Sequence, residues 1–475
     1  MKKSVPTLDL AEQKILHILK PIVGQMTGPN PRITWYASAQ LPDNFTIKVQ
    51  VLSTDEKGKR KEIHLFDVKN TGEFLIPTPL EDGEYEIRLL GIDQEGIKKT
   101  SRYHRITVDP VRAYRKRINC PAAWSFLFMG PIRANPCCNL KAGAGFPYNP
   151  EQSTIDPWNS PGMIALRESL LEGRADFCHP GCPVLRKKHA TPDAAFLEYA
   201  RQNRTSPNTE MAFLDGSNRR AFQRGEVVVD NPQTLKIAMG SKCNHACTFC
   251  KAIQREWKQN DSIFNNIAVK FAPNVKRLML TGGEPLAYWK SFISHMRKNN
   301  IDISDMILSM ISNGALLGTF ASDLSKFKEL QIFISLNAAT PESYLRVHRV
   351  DDFQKVKEGI HKLREMRGDK PTMIRLKMVY MRSTFREIPL YADLAQELGA
   401  DRVAFTNMTY FRQADALPTE ALSIRDPEWP EAHRLLNETT AKLTRLGISN
   451  SVRIPGQKRV DPADALAAEM WDEDA

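Results

Sequence analysis

Hydrophobic positions along this chain change period several times, and each change marks a new region. Over residues 8–24, Leu10, Ile15, Leu16 and Leu19 fall near helical spacing, which predicts a short amphipathic helix ended by Pro21. Residues 46–53 (TIKVQVLS), 62–68 (EIHLFDV), 72–77 (GEFLIP), 83–93 (GEYEIRLLGID) and 101–108 (SRYHRITV) then alternate with period two, separated by polar or Gly/Pro turns. That pattern predicts a β-sandwich, which with the leading helix fills residues 1–109. Residues 110–202 are rich in Gly, Pro and Asn and read mostly as loop, with helices near 162–172 and 193–203. A polar Pro/Asn/Arg-rich stretch at 203–232 reads as a linker. From Thr234 a β/α rhythm begins, with apolar strands at 235–239, 277–280, 306–311, 332–336, 373–380 and 402–406. Strands alternating with helical patterns predict an α/β core, a partial (β/α)6 barrel over residues 233–415. A helix near 431–446 and an acidic tail complete residues 416–475.

Composition adds little to this picture except at the cysteines. The chain has 475 residues, 42% hydrophobic and 25% charged, with a formal net charge of +11. The basic residues are scattered, with only short runs such as residues 112–117 and 186–189, and no RNA-binding aromatic motif accompanies them. A solvated surface therefore accounts for the charge better than a nucleic-acid interface does. Asp9 and Glu12 interrupt the N-terminal apolar positions, so no signal peptide is expected, and no run reaches membrane-spanning length. The expectation is a soluble cytoplasmic protein. Eight cysteines in a reducing compartment point to metal ligation rather than disulfides.

Three of them form C-x3-C-x2-C: Cys243, Cys247 and Cys250, directly after the strand at 235–239. Three thiolates leave either a zinc or a four-iron cluster one ligand short, the mark of a centre with an open position. A zinc knuckle completed by His245 is the alternative. Thr281-Gly282-Gly283-Glu284-Pro285 follows the strand at 277–280, Ser312-Asn313-Gly314 the next, and Ser335-Leu336-Asn337 the one after, leading into Ala338-Ala339-Thr340-Pro341-Glu342-Ser343-Tyr344. The triplet, with Phe249 just before its third cysteine, and this order of downstream motifs resemble the radical S-adenosylmethionine (SAM) superfamily over residues 234–410. The resemblance implies that Cys243, Cys247 and Cys250 hold a [4Fe-4S] cluster and that SAM is bound by Phe249, Gly282, Gly283, Glu284, Pro285, Asn313, Ser335, Asn337 and Lys377. Asn337 stands where the family commonly has Asp. Arg382 and Arg386 are further cations that could meet the SAM carboxylate.

The remaining cysteines precede the core. Cys120 before Pro121, the pair Cys137-Cys138, Trp158-Asn159-Ser160 with Arg167, and Cys178-x3-Cys182 before Pro183 resemble the SPASM or twitch auxiliary-cluster domain, placed N-terminal to the core here instead of after it. That implies a second cluster on Cys120, Cys137, Cys178 and Cys182, with Cys138 as an alternative ligand; four thiolates could equally hold a structural zinc, and His179 or His189 could substitute. The segment Asp82-Gly83-Glu84-Tyr85-Glu86-Ile87 resembles late strands of immunoglobulin- or fibronectin-like domains.

The reading that results is a radical SAM enzyme. It would cleave SAM to a 5′-deoxyadenosyl radical and abstract hydrogen from a peptide, protein or carbohydrate-type substrate, with oxidation, epimerisation or cross-linking as the outcome. The β-sandwich would dock the substrate, and flavodoxin or ferredoxin would supply electrons. Two other classes stay open: a non-catalytic binding protein stabilised by zinc, and an RNA-modifying radical SAM enzyme. Tyr344, Tyr380 and Tyr410 lie near core strand ends, as radical carriers or as packing residues. No Walker loop, nucleophile elbow or HExxH motif is present.

Overall fold

The structure, a computed structural model, describes residues 16–20, 25–37, 46–55, 59–69, 71–92, 98–114, 116–130, 133–137, 139–141, 144–147, 156–182, 184–185, 189, 191–203, 216–250, 269–408 and 417–454. The chain divides into two compact units. The first comprises residues 1–119, 164–176 and 220–230, and the second residues 120–163, 177–219 and 231–475.

In the first unit nine strands follow one another: β1 (Leu16–Lys20), β2 (Gln25–Thr27), β3 (Arg32–Ala37), β4 (Thr46–Thr54), β5 (Arg60–Val68), β6 (Glu73–Leu75), β7 (Gly83–Ile92), β8 (Lys98–Thr100) and β9 (His104–Val108). They form a three-stranded sheet, β1-β3-β6, and a larger one, β2-β9-β7-β4-β5, with β8 added to β7. Ile18, Ile33 and Trp35 of the small sheet share one hydrophobic cluster with Ile47, Val49, Val51, Ile87, Leu89, Ile106 and Val108 of the large one. The period-two residues of β4 and β7 are thus the ones withdrawn from water, the main source of stability for such a layer. The helix expected at 8–24 is corrected where it can be seen. Leu16–Lys20 is a strand paired antiparallel with β3, burying Ile18 against Ile33 and Trp35. Asn30 ties the loops of this unit: Nδ2 donates to the carbonyls of Ile76 and Pro77, and Oδ1 accepts from Val227 N at 2.9 Å.

The second unit is built on a ten-stranded sheet. Its strands are β10 (Phe126–Met129), β11 (Arg133–Asn135), β12 (Phe146–Pro147), β13 (Thr234–Ala238), β14 (Arg277–Thr281), β15 (Ile307–Ser312), β16 (Glu329–Ser335), β17 (Thr372–Tyr380), β18 (Arg402–Asn407) and β19 (Ser449–Val452). They lie in the order β12-β11-β10-β13-β14-β15-β16-β17-β18-β19. β10 and β13 through β19 run parallel, while β11 and β12 turn back antiparallel at one edge. The six expected core strands are all present, extended by β10 on one side and β19 on the other.

Of the region expected as a cysteine-rich domain over 110–202, residues 110–119 and 164–176 fall in the first unit and the rest in the second, where Phe126–Met129 pairs with β13. The expected linker at 203–232 contains the helix Ser217–Arg224, and its residues 204–215 lie outside the described residues. Helices between the strands place apolar residues at helical spacing against the sheet. In Trp289–Lys298, for example, Trp289, Phe292, Ile293 and Met296 are buried. Among the described residues no helix is long and apolar enough to cross a membrane.

β13 is the strand on which the cysteine loop depends, and all five of its residues are buried. Leu235→Ala should cost about 2–5 kcal/mol of stability, measurable by urea unfolding of the full chain.

Candidate functional site

Backbone contacts fix the cysteine loop. It leaves the C-terminal end of β13, where Met239 N donates to Thr281 O at 2.8 Å, and then lies along the turn after β14, with Gly283 N on Gly240 O at 2.7 Å and Glu284 N on Lys242 O at 2.9 Å. The two glycines permit this. Gly282 has φ +121°, and a Cβ there would stand 2.5 Å from Gly240 O; a Cβ on Gly283 would meet the Ser241 and Lys242 carbonyls, each at 2.5 Å. The two glycines bring the backbone of the turn against the loop that carries the cysteines. Lys242 N also donates to the Tyr288 hydroxyl at 2.6 Å. Pro285 begins the short 3-10 turn Pro285–Tyr288.

Glu284 organises the other side of this turn. It is 1% exposed, and its carboxylate accepts from Leu286 N at 3.0 Å, Ser312 Oγ at 2.8 Å and Asn313 N at 2.7 Å. Burial pushes its pKa up to about 7, against the three hydrogen bonds, which pull it down. Asn313, held in this way, donates Nδ2 to Asn244 Oδ1 at 2.7 Å and stands 3.8 Å from Cys243 Sγ.

The three cysteines end on the same side of the sheet. Cys243 and Cys247 are half-buried and Cys250 is exposed. Burial raises the thiol pKa of Cys243 and Cys247, and the neighbouring thiols raise both further. Among the described residues the three sulfurs do not all lie within 4.8 Å of one another, whereas thiolates on one tetrahedral zinc stand about 3.8 Å apart. That separation does not match one tetrahedral ion held by all three thiolates. Among the described residues one close group of such donors is found, His245, Cys247 and His348, all within 4.8 Å. His348 was not picked out from the sequence; no local motif marks it, and only the fold brings the end of the helix Pro341–His348 to the loop.

The other expected cofactor residues are scattered in role. Phe249 packs on Val347, Val379, Met381 and Met408. Ser335 and Lys377 are direct partners in the β16–β17 ladder and half-buried. Asn337 is buried; its Oδ1 accepts from Val379 N at 2.9 Å, and its Nδ2 has no partner among the described residues. Arg382 and Arg386 are turned to the C-terminal segment, the former pairing with Asp426 and Glu428 and the latter with Glu431. Tyr344 is fully buried and stacked on His348, and the Tyr380 hydroxyl donates to Arg453 O. Tyr410 lies outside the described residues.

The auxiliary cysteines gather by a separate route. Residues 139–141 pair with 177–179 through the Leu140–Cys178 bridge, His179 N on Asn139 O and Lys141 N on Phe177 O. This brings the segment after Cys137 beside Cys178 and Cys182. Burial raises the Cys120 pKa, with Cys182 and Cys178 adding to it, and burial likewise pushes Cys178 up to about 11. Tyr199 is within electrostatic reach of Cys120 and Cys137. Cys138 and Pro183 lie outside the described residues. His179 Nδ1 accepts from Gly181 N. Trp158 is buried behind an Asp156 turn in the second unit, while in the first Arg167 is buried and donates to Val227 O at 2.8 Å.

Two outcomes follow. Gly283→Ala should cost about 1–3 kcal/mol and expose Cys243 and Cys247 to alkylation, read by unfolding and thiol labelling. The raised Glu284 pKa means that the folded chain holds this proton more tightly than the unfolded chain. Its contribution to stability is complete below pH 4.5 and is lost as pH rises through about 7. That amounts to at most about 3 kcal/mol, and Glu284→Gln should flatten this part of the pH–stability curve.

Residues 237–395 match the family described as the Radical SAM superfamily. Among curated proteins, a probable GTP 3′,8-cyclase of Methanococcus maripaludis (strain C7) is 24% identical over 173 residues, covering 35% of this chain and 56% of that protein. Another from Metallosphaera sedula is 28% identical over 180 residues, covering 36% and 54%. The chain therefore spans about half the length of the curated relatives it matches. Among solved structures, Streptococcus suis SuiB bound to S-adenosylmethionine covers 55% of this chain and 59% of its own, at 18% identity and a TM-score of 0.37. The family match lies across the cysteine loop and the strands that carry it, and residues 237–395 of the chain are a radical SAM domain.

Proposed function

We propose that the chain uses SAM on a four-iron cluster at Cys243, Cys247 and Cys250 to abstract hydrogen from a peptide, protein or carbohydrate-type substrate. The observation that carries this is the cysteine loop at the C-terminal end of β13, locked to the Gly282-Gly283 turn by paired backbone hydrogen bonds. Bound there, cluster and SAM supply a one-electron cleavage that yields a 5′-deoxyadenosyl radical. The chain's own part is to hold and shield. Gly282 and Gly283 fix the loop, Glu284 and Asn313 brace it beside Cys243, and Ser335, Asn337 and Lys377 line the neighbouring strand ends with polar groups for SAM.

We read Cys120, Cys137, Cys178 and Cys182 as ligands of an auxiliary cluster, supported by the electrostatic coupling of Cys120 with Cys178 and Cys182 and by the pairing of 139–141 with 177–179. Metal binding would replace the protons that burial now holds on these thiols. The first unit, with two sheets around one core, fits an immunoglobulin- or fibronectin-like sandwich that docks a large substrate in a cytoplasmic enzyme fed by flavodoxin or ferredoxin. The curated relatives are GTP 3′,8-cyclases by name, but the likeness covers only about a third of this chain and about half of theirs. A nucleotide substrate is accordingly not assigned.

Anaerobic reconstitution with iron and sulfide, followed by incubation with SAM and dithionite, tests the proposal. About eight irons per chain and release of 5′-deoxyadenosine are expected. Cys243→Ala should abolish 5′-deoxyadenosine, whereas Cys178→Ala should lower iron to about four and leave SAM cleavage in place. Zinc without 5′-deoxyadenosine would remove the proposal; about four irons with one zinc would confine it to the core site.

A further inference from the structure

Cys247 is held against the end of the helix Pro341–His348, with Ala246 N on His348 O at 3.2 Å and Thr248 N on Val347 O at 3.0 Å. The two contacts set the His348 ring beside the sulfur: Nδ1 is 3.3 Å from Cys247 Sγ and 3.4 Å from His245 Nδ1. Its other nitrogen, Nε2, is 3.3 Å from the backbone N of Asn337. A backbone N–H can only donate, so Nε2 accepts, and the neutral ring carries its hydrogen on Nδ1. His245 Nε2 lies 3.4 Å from Asp352 Oδ2 without hydrogen-bond geometry, and its Nδ1 faces that of His348. Both rings are buried, and Tyr344 stacks on His348 with centroids 4.2 Å apart, so the donor cannot turn away.

We infer that His348 is a positioning residue whose Nδ1–H, its tautomer fixed by the Asn337 backbone N–H on Nε2, points between Cys247 Sγ and His245 Nδ1 and gives Cys247 an N–H···S hydrogen bond, and so raises the reduction potential of a cluster bound there. This rests on the proposed cluster at Cys243, Cys247 and Cys250. Reduction adds one electron to the cluster, and its sulfurs become more negative. A hydrogen bond to one of them therefore favours the reduced form. The same three side chains, His245, Cys247 and His348, are close enough to bind zinc instead.

The measurement is the midpoint potential of the reconstituted chain, reduced stepwise with dithionite and followed by absorbance and electron paramagnetic resonance, with iron and zinc counted on each sample. His348→Phe keeps a ring to stack on Tyr344 and removes the donor; His348→Gln returns an N–H. His348→Phe is expected to retain its iron while its potential becomes more negative, by about 59 mV for a tenfold change in a one-electron equilibrium, with His348→Gln recovering part of the shift. His348→Leu removes the donor with an apolar side chain and decides the matter if His348→Phe loses the cluster. An unchanged potential in the iron-loaded His348→Phe variant, or in His348→Leu where that variant cannot be loaded, overturns the inference and leaves the cluster standing. Zinc that survives Cys243→Ala with Cys250→Ala but is lost in His348→Phe overturns it in favour of a zinc site. Failure of the parent chain to take up iron overturns both readings.

Discussion

Everything at this site hangs on two glycine backbones meeting one loop. The carbonyls of Gly240, Ser241 and Lys242 lie so close to Gly282 and Gly283 that no side chain fits between them, and the hydrogen bonds across this contact set where Cys243 begins. A loop holding a reactive centre would ordinarily be the most mobile part of a β/α fold. Here it is attached to the next strand's turn almost as an extra rung of the sheet, so its geometry is inherited from β13 and β14.

Behind that contact is a buried polar layer. Glu284 collects donors from three backbone and side-chain groups, and Asn313, fixed by it, reaches Asn244 and the vicinity of Cys243. On the other flank His348 meets Cys247, with His245 beside it and Asp352 beyond. The first two cysteines are therefore backed by different polar groups, one set at the ends of β14 and β15 and the other at the end of a helix, while Cys250 is exposed. This asymmetry suits a centre that must be rigid on its protein side and open on its ligand side.

The cysteine triplet and the Gly-Gly turn were legible because each is a local pattern whose chemistry depends on spacing. The six core strands were legible because fully buried strands read as apolar runs bounded by turns. Other features were not. Leu16 and Leu19 fit helical spacing as well as they fit a five-residue strand, and the outcome was decided by pairing with β3, which a sequence window cannot see. The four residues of β10 are apolar but sit in a Cys- and Pro-rich stretch, and their partner lies in another region of the chain. His348 has no motif of its own, and Arg382 and Arg386, read as cations for a ligand, find carboxylates in the C-terminal segment.

The parallel pairing of β10 with β13 also has a consequence for synthesis. Phe126 is matched with Thr234, so this edge of the sheet cannot form until the polypeptide between them has left the ribosome. During that interval Cys120, Cys137, Cys178 and Cys182 have been made, but β10 has only β11 beside it and not the core strand β13. Long-range parallel pairing is intrinsically slow, and nascent thiols in this window stand open to oxidation or to the wrong metal. The order of the chain, with its cysteine-rich segment ahead of the core, sets the length of that interval.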